Sequence, residues 1–275
     1  MKTQNSVDFQ FGIDCKPPND ILGDFSLMGR PTLLKLGLTR EVELHDTPDR
    51  RAQGLQMKEL VKNDKHTKNI EFEDEFLLQY LRVRKYNVAR AFTQLKALVA
   101  LKKKHPLMFT NFSYDKTVKT TIDSWGISSR GVKRAAILYL LQSLREPMTQ
   151  INGFKIIFDL KSNPLKHLKY CTPENIYLIY HGSQDCIAGR YKEFHAVNLS
   201  VTFKAVWFLI KPFLTDKIKK ASFFTQHSRS SLEPFPKAVL PKQYGGDLEN
   251  YDMSSWLKKA MAPEKLAALG GRPKK

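Results

Sequence analysis

The sequence contains only three cysteines, and Cys15, Cys171 and Cys186 have no paired spacing. Neither a zinc-binding pattern nor a disulfide framework is therefore expected, and a reducing cytosol fits best. The chain also lacks an apolar run of transmembrane length. Its N-terminus lacks the apolar core of a signal peptide. We therefore expect a soluble, cytoplasmic protein.

Catalytic signatures are equally scarce. Gly182-Ser183 lacks the flanking glycine of a nucleophile elbow, and the chain has no glycine-rich nucleotide-binding loop. His167, His181 and His195 are not spaced as a metal-binding triplet. His195, inside an apolar strand, is more typical of a buried core histidine. The sequence predicts no catalytic residues, no metal site and no cofactor, and hence not an enzyme.

Acidic residues are few relative to basic ones: 27 Asp and Glu stand against 45 Lys and Arg, a formal net charge of +18. This excess favours an anionic partner, either a nucleic acid or an acidic membrane surface. The chain has no recognised nucleic-acid-binding module and no interleaving of aromatic and basic residues. Specific nucleic-acid binding is therefore not expected, although weak, salt-sensitive binding remains open.

Patterning divides the chain into four regions. Residues 1–38 are weakly patterned and are expected to form a flexible arm, and residues 258–275 form a tail that is expected to be frayed from Pro263 onwards. Residues 39–110 predict a helical lobe, because apolar residues recur there at helical spacing. The caps Thr47 and Asn87 mark the starts of two of its helices. Residues 111–257 mix strand and helix patterns and form the main domain.

The pattern of the main domain predicts an α/β fold. Gly131 to Gln150 predicts one helix, and Phe154 to Leu160 a short apolar strand after an Asn-Gly turn. Thr172 and Pro173 open a second helix. Glu193 to Leu199 is the next strand. A strand, a crossover helix and a strand predict a parallel pair, and Ala221 to Thr225 suggests a third strand.

The stretch after the second strand is the most unusual part of the chain. Phe203 to Ile210 is apolar on nearly every side, with Lys204 as the exception. Such a helix must be buried, embedded or lying over apolar surface, and this one is too short to span a bilayer. Two interpretations remain open. The segment is either a plain core helix or a mobile lid over an apolar cavity.

Four motifs lie in order along the chain. They are Glu75–Leu78 with Tyr80–Tyr86, Thr149–Gly153 with Ile157–Leu160, His195–Asn198 with Ile210–Leu214, and Leu240–Gly246. Together they resemble the CRAL-TRIO lipid-binding family, the group of cellular retinaldehyde-binding protein and alpha-tocopherol transfer protein. The resemblance implies an N-terminal helical lobe followed by a CRAL-TRIO domain. That domain has a mainly parallel sheet, surrounding helices and an apolar pocket closed by a gate helix.

The resemblance also implies two sets of binding residues. The ligand-pocket residues are Ile137, Phe158, Ile179, Phe194, Val197, Phe203, Val206, Leu209 and Phe213. The phosphoinositide-binding residues, by similarity to the tocopherol-transfer branch, are Arg84, Arg190, Lys192 and Lys217. Two further basic positions of that branch are occupied here by Thr93 and Ala221. The plainer interpretations are an apolar core and a solvated basic surface.

The chain departs from the family in one place. Relatives of the transfer-protein type carry roughly two dozen more residues between the helical lobe and the Gly131 helix, usually with an opening strand of the sheet. Here Trp125–Ser129 leads straight into that helix. The sheet is therefore expected to lack one strand or to leave part of the pocket wall open.

These features favour a monomeric intracellular carrier. It would enclose tocopherol, a retinoid or a similar lipid and exchange it at phosphoinositide-containing membranes, endosomal membranes among them. A phosphoinositide-binding trafficking adaptor with a vestigial pocket is the alternative. Residue types alone do not select the cargo, because any apolar lipid suits an apolar pocket.

Overall fold

A computed structural model of the chain describes part of it. The described residues are 45–109, 129–160, 172–199, 203, 207–208, 211–224, 232, 235–249 and 272–273, without the side chains of 129–132, 135, 213 and 272–273. Within them a helical lobe precedes a parallel three-stranded sheet with helices around it, which confirms the predicted α/β class. The arm over residues 1–38 lies outside the described part.

Three helices form the lobe: α1 (Pro48–Asn63), α2 (Asp74–Val83) and α3 (Val88–Lys104). The Thr47 hydroxyl accepts a hydrogen bond from the Arg50 N–H, and the Asn87 side chain accepts one from the Arg90 N–H. Both bonds satisfy N–H groups that a helix start leaves without partners. The two predicted caps are therefore confirmed. A short 3-10 turn at Pro106–Met108 follows α3.

One hydrophobic core joins the lobe to the main domain. Phe76, Tyr80 and Leu95 pack in the same cluster as Leu144 and Ile187. The buried Tyr80 hydroxyl donates to the Cys186 carbonyl at 3.1 Å. Because lobe and sheet domain share this core, they support each other's stability.

The predicted helix from Gly131 to Gln150 is in fact two helices, α4 (Ser129–Ser143) and α5 (Pro147–Asn152). The prediction of a single helix is wrong because Pro147 has no N–H and its ring clashes with the preceding turn of an α-helix. Proline is well placed at the first position of a new helix. The Glu146 carboxylate caps α5 by accepting from the Met148 N–H at 3.3 Å.

Gly153 makes the tight connection from α5 into the sheet. Its φ of +82° is a backbone conformation that favours glycine. A Cβ atom at this position would lie 2.2 Å from the Arg190 carbonyl oxygen. The Asn-Gly turn of the sequence thus marks both a residue with positive φ and a close backbone approach.

The sheet has three parallel strands in the order β2-β3-β4. They are β2 (Phe154–Asp159), β3 (Tyr191–Val197) and β4 (Ser222–Phe224). Helix α6 (Pro173–His181), capped by Thr172, and a π-helical turn at Gly182–Cys186 lie between β2 and β3 in the chain. Strand β3 begins two residues earlier than predicted. Helix α7 (Asp216–Lys220) precedes β4, and 3-10 turns occur at Lys211–Phe213, Lys237–Val239 and Lys242–Tyr244.

Part of the predicted frayed tail is paired. Strand β1 (Ile70–Glu71), between α1 and α2, forms an antiparallel pair with β5 (Arg272–Pro273). The Ile70 backbone pairs with Pro273, and Glu71 with Arg272. Two residues of the tail therefore lie beside the helical lobe, which corrects the expectation of fraying at that point.

Candidate lipid-binding site

The two faces of the sheet differ in composition because side chains alternate along each strand. One face, here called the aromatic face, carries Phe154, Phe158, Tyr191, Phe194 and Phe224, as the strand register shows. The other, the closed face, carries Ile157, Asp159, Glu193, His195 and Val197. A bulge at the start of the β2–β3 pair brings Tyr191 to the same face as Phe194.

The aromatic face is a continuous row of rings that remains partly open. The Phe158 and Phe194 rings are stacked with centroids 6.3 Å apart, and Tyr191 stacks on Phe194 at 6.0 Å. Phe158 is 48% exposed and Phe224 is 40% exposed. Apolar side chains that the sheet positions but does not bury can take part in covering an apolar ligand.

The segment predicted as a gate touches this face at β4. Phe203 and Trp207, both helical, contact the Phe224 ring at centroid distances of 5.5 and 4.5 Å. Residues four apart lie on the same side of a helix, so this side faces the sheet. Phe208 is 77% exposed. The predicted lid therefore lies against the aromatic face at these two contacts, while one large apolar ring remains exposed to solvent.

The centre of the closed face is covered by the protein's own side chains. His195 is buried, stacks on Phe223 at 4.9 Å and meets the edge of Phe235 at 4.8 Å. Its Nε2 lies 2.9 Å from the Glu193 carboxylate, which also pairs with Lys155 at 2.9 Å. Burial raises the pKa of Glu193, but the bonds from His195 and Lys155 outweigh it and leave that pKa below its usual value. These contacts of His195 are those of a histidine buried in a protein core, as the sequence suggested.

Three of the four motifs meet at one carboxylate on the closed face. The Asn198 amide donates to Asp159 at 2.8 Å, and the Tyr244 hydroxyl donates to it at 3.0 Å. Burial and the Asp159 charge raise the pKa of Tyr244 to about 12. Asn198 itself has a φ of +56°, a left-handed conformation that asparagine tolerates. Asp159 thus fixes the ends of β2 and β3 to the closing loop.

The structure brings together three of the predicted pocket residues. Phe158 and Phe194 lie on the aromatic face, and Phe203 contacts Phe224 beside them. Val197 differs from the prediction. It lies on the closed face, fully buried with Leu232 and Leu240, because it is three residues from Phe194 and period two places it on the opposite face.

The other predicted pocket residues lie elsewhere or outside the described part. Ile137 packs against the core shared with the helical lobe. Ile179, on α6, is 59% exposed. Val206 and Leu209 lie outside the described residues, as does the side chain of Phe213. Sequence reasoning missed Tyr191, Trp207 and Phe224, although strand alternation and the i, i+4 spacing from Phe203 signal them.

The predicted phosphoinositide-binding residues do not form one cluster of equivalent cations. The Arg190 guanidinium donates to the Ile151 carbonyl at 2.6 Å and, by its other terminal nitrogen, to the Arg82 carbonyl. Arg84 Nε donates to the Gln94 side chain at 2.7 Å. Lys192 and Lys217 are exposed. Arg190 is therefore engaged in holding the lobe to the sheet domain, whereas the two lysines face solvent.

In the described ranges, every helix is too short or too polar to span a bilayer. Within the same ranges no three His, Cys, Asp or Glu side chains lie close enough together to hold a metal ion.

Comparison with known proteins places this arrangement in a family. The CRAL/TRIO domain model matches residues 102–246, more than half of the chain, and these include β2, β3, β4 and the closing loop. The chain belongs to the CRAL/TRIO family. Proteins of this family bind lipids and other hydrophobic small molecules. The resemblance predicted from the four motifs is thereby confirmed.

Curated relatives include two clavesins. The chain is 28% identical to clavesin-1 of Pongo abelii, over 88% of this chain and 77% of the relative. It is also 28% identical to clavesin-2 of Homo sapiens, over 82% of this chain and 80% of the relative. These similarities extend beyond the CRAL/TRIO match to most of the chain.

This chain is shorter than its relatives within the matched region. The alignment with Pongo abelii clavesin-1 has 277 positions but includes 88% of the 275 residues, about 242, so about 35 positions have no residue here. The alignment with Homo sapiens clavesin-2 has 260 positions and includes 82% of this chain, about 226 residues, so about 34 positions have no residue here. This shortage is consistent with the missing segment inferred before Gly131.

Proposed function

We propose that the chain is a lipid carrier that holds one hydrophobic molecule against the aromatic face, beneath the segment containing Phe203 and Trp207. The observation that carries the proposal is the contact of these two rings with Phe224, next to a row of half-open aromatic side chains. Movement of this segment away from β4 would uncover that row. The cargo class is a tocopherol, a retinoid or a similar apolar lipid, and no chemical step is involved.

Burial of the lipid supplies enough free energy for such binding. Each methylene removed from water is worth about 0.8 kcal/mol, so an apolar molecule that buries the equivalent of about eighteen methylenes gains roughly 14 kcal/mol, of which about 10 kcal/mol remains after an association cost of about 4 kcal/mol. Phe158 is 48% exposed and would lose much of this exposure to a ligand. Sub-micromolar affinity through apolar contacts is therefore expected, with selectivity set by shape.

Membrane docking would occur beside the gate. Phe208 is 77% exposed, and Lys217 and Lys220 on α7 are exposed as well. An exposed aromatic ring enters the interface of a bilayer, and each nearby cation contributes about 1 kcal/mol at an acidic leaflet. We therefore propose phosphoinositide-containing membranes as the site of exchange, with Lys192 and Lys217 as headgroup contacts. Arg84 is a further candidate, and the expected location is the cytoplasm with transient membrane attachment.

Two neighbouring phenylalanines make a matched test. Phe224 is 40% exposed on the aromatic face, and Phe223 is 46% exposed on the closed face. Phe224→Asn should reduce transfer of a fluorescent tocopherol or retinoid analogue between vesicles at least tenfold. Phe223→Asn, which removes a similar amount of apolar surface, should leave transfer within about twofold of the unaltered chain. Circular dichroism and thermal unfolding check that both variants fold.

If both variants are folded and lose transfer equally, the aromatic face is excluded as the binding site. Organic extraction of the purified protein followed by mass spectrometry then identifies the cargo. The expected result is one apolar compound at close to one molecule per chain.

A membrane-trafficking adaptor is the second candidate, favoured by the shortage of about 35 alignment positions relative to clavesin-1. If the missing segment has opened the pocket, the chain would reach acidic membranes without carrying cargo. Native mass spectrometry separates the two functions. A retained apolar ligand supports the carrier, and an empty protein that still binds phosphoinositide vesicles supports the adaptor.

A further inference from the structure

Within the described part of the chain, the β2 strand forms an edge of the sheet. Among the described residues it pairs with β3 alone. The Phe154 and Leu160 N–H groups both donate towards β3, to the Arg190 and Val197 carbonyls. Backbone groups alternate along a strand, so the N–H and C=O groups of Lys155 and Ile157 point away from β3. This edge can therefore accept another strand.

The edge carries opposite charges placed symmetrically about its centre. Lys155 lies two residues before Ile157 and Asp159 two residues after it, and both charged residues are exposed on the closed face. Within one copy Asp159 accepts hydrogen bonds from Asn198 and Tyr244, and Lys155 pairs with Glu193 at 2.9 Å, so an ion pair between copies would add to or replace these contacts. Proteins usually protect an edge strand with charged side chains, proline or a covering segment, and charges of one sign repel a second copy. A Lys-Ile-Ile-Phe-Asp edge is instead complementary to itself.

An antiparallel copy of β2 fits this pattern in one register. With the two-fold axis at Ile157, each Ile157 lies opposite its counterpart, and each Lys155 lies opposite the Asp159 of the other copy. Ile156 then lies opposite Phe158 on the aromatic face. These pairs keep every side chain on its own face, as the pleat requires. Shifting the register by two residues in either direction loses both opposite-charge pairs.

We propose that two copies of the chain associate through β2 to form a continuous six-stranded sheet with the order β4-β3-β2-β2-β3-β4. The association would form two Lys155–Asp159 ion pairs and cover part of Phe158, which is 48% exposed in a single copy. Opposite charges and apolar pairs directly across two strands stabilise a sheet. This assembly departs from the monomer that the sequence predicts.

The proposal goes beyond the carrier function and does not depend on it. The gate rings contact Phe224 on β4, which is the other edge of the sheet among the strands that the structure describes. Joining two copies at β2 therefore places the two gates at opposite ends of the six-stranded sheet. Each copy keeps its own aromatic face and its own route to a membrane.

Lys155 provides a matched pair of variants. Lys155→Ala and Lys155→Pro both remove the side chain and its ion pairs, but only proline also removes the N–H that the second strand would use. Because that N–H points away from β3, the fold tolerates proline there. Sedimentation velocity of the full chain in about 150 mM salt, over a concentration series, measures the association.

The expected result is a dimer for the unaltered chain, at least fivefold weaker association for Lys155→Ala, and a monomer for Lys155→Pro at every concentration. The proposal is overturned if the unaltered chain stays monomeric up to the highest concentration. It is also overturned if Lys155→Pro remains folded, as measured by circular dichroism, and associates as strongly as Lys155→Ala.

The register has its own test. Pairs without inter-strand hydrogen bonds have the closer Cα atoms, about 4.5 Å apart, a distance at which a disulfide forms. The double variant Ile156→Cys with Phe158→Cys should give a covalent dimer on mild oxidation, because each new thiol faces the other one across the axis. The unaltered chain, with its own three cysteines, is the control. Absence of excess covalent dimer in the double variant excludes this register.

Discussion

Arg190 offers a direct choice between a headgroup-binding role and a structural one. Its guanidinium donates to the backbone carbonyls of Ile151 and Arg82, and so connects α5 and the end of α2 to the residue before β3. We expect Arg190→Met to destabilise the fold by removing both bonds. The stability of Arg190→Lys should lie between those of Arg190→Met and the unaltered chain, because one ammonium group cannot reach both carbonyls in the same geometry.

The magnitude follows from the bonds that are lost. A hydrogen bond from a charged donor contributes about 1.5–3 kcal/mol, and a buried carbonyl left without a partner costs about 1–3 kcal/mol. Arg190 is only half-buried, so solvent recovers part of this cost. A loss of about 3 kcal/mol is therefore expected for Arg190→Met, which corresponds to a fall in Tm of roughly 6–12 °C for a chain of this size.

Chemical denaturation measures the loss, and liposome sedimentation measures the other possible role. Lys192→Met is the matched control, because it removes the same charge from an exposed position two residues along the chain. Its free energy of unfolding should stay within about 0.5 kcal/mol of the unaltered chain. The structural role is refuted if Arg190→Met unfolds like the unaltered chain but no longer binds phosphoinositide vesicles. The structural role also fails if Arg190→Lys matches the unaltered stability.

Three further predictions follow from single positions. Gly153→Ala should destabilise the fold by more than about 2 kcal/mol in denaturant titrations, because a Cβ would lie 2.2 Å from the Arg190 carbonyl oxygen at a positive φ; near-normal stability would contradict this geometry. Glu193 has a lowered pKa, so its contribution to stability is present above the ordinary glutamate pKa and is lost as pH falls through the lower folded value; Glu193→Gln should flatten that part of the Tm–pH curve, and an unchanged slope would exclude the carboxylate. Phe208→Ser should weaken binding to acidic vesicles severalfold with no change in Tm, since the ring is 77% exposed; unchanged binding would exclude Phe208 as a membrane anchor.

Local sequence signals predicted most of the elements. Thr47, Asn87 and Thr172 cap the helices that they were expected to cap, because a side-chain oxygen at a helix start needs only its own next turn as a partner. The parallel sheet followed from the order of strand, helix and strand. The break at Pro147 was equally readable, since it depends only on the missing N–H of proline.

The site was less predictable because it depends on which way side chains point. Phe194 and Val197 are both apolar and three residues apart, so composition alone treats them alike. Strand alternation places them on opposite faces, and a bulge then adds Tyr191 to the face of Phe194. A bulge changes the alternation by one residue and leaves no mark in the hydrophobic pattern.

The family, the helix caps and the order of the elements could be predicted from the sequence, because they depend on neighbours within a few residues or on motifs in a fixed order. The contacts of individual side chains depend instead on the folded arrangement of distant segments. Arg190 binds two backbone carbonyls, one of them 108 residues away in the chain, and Asp159 joins Asn198 and Tyr244 from two other motifs. Such contacts form when distant segments meet, so no local pattern of residues records them.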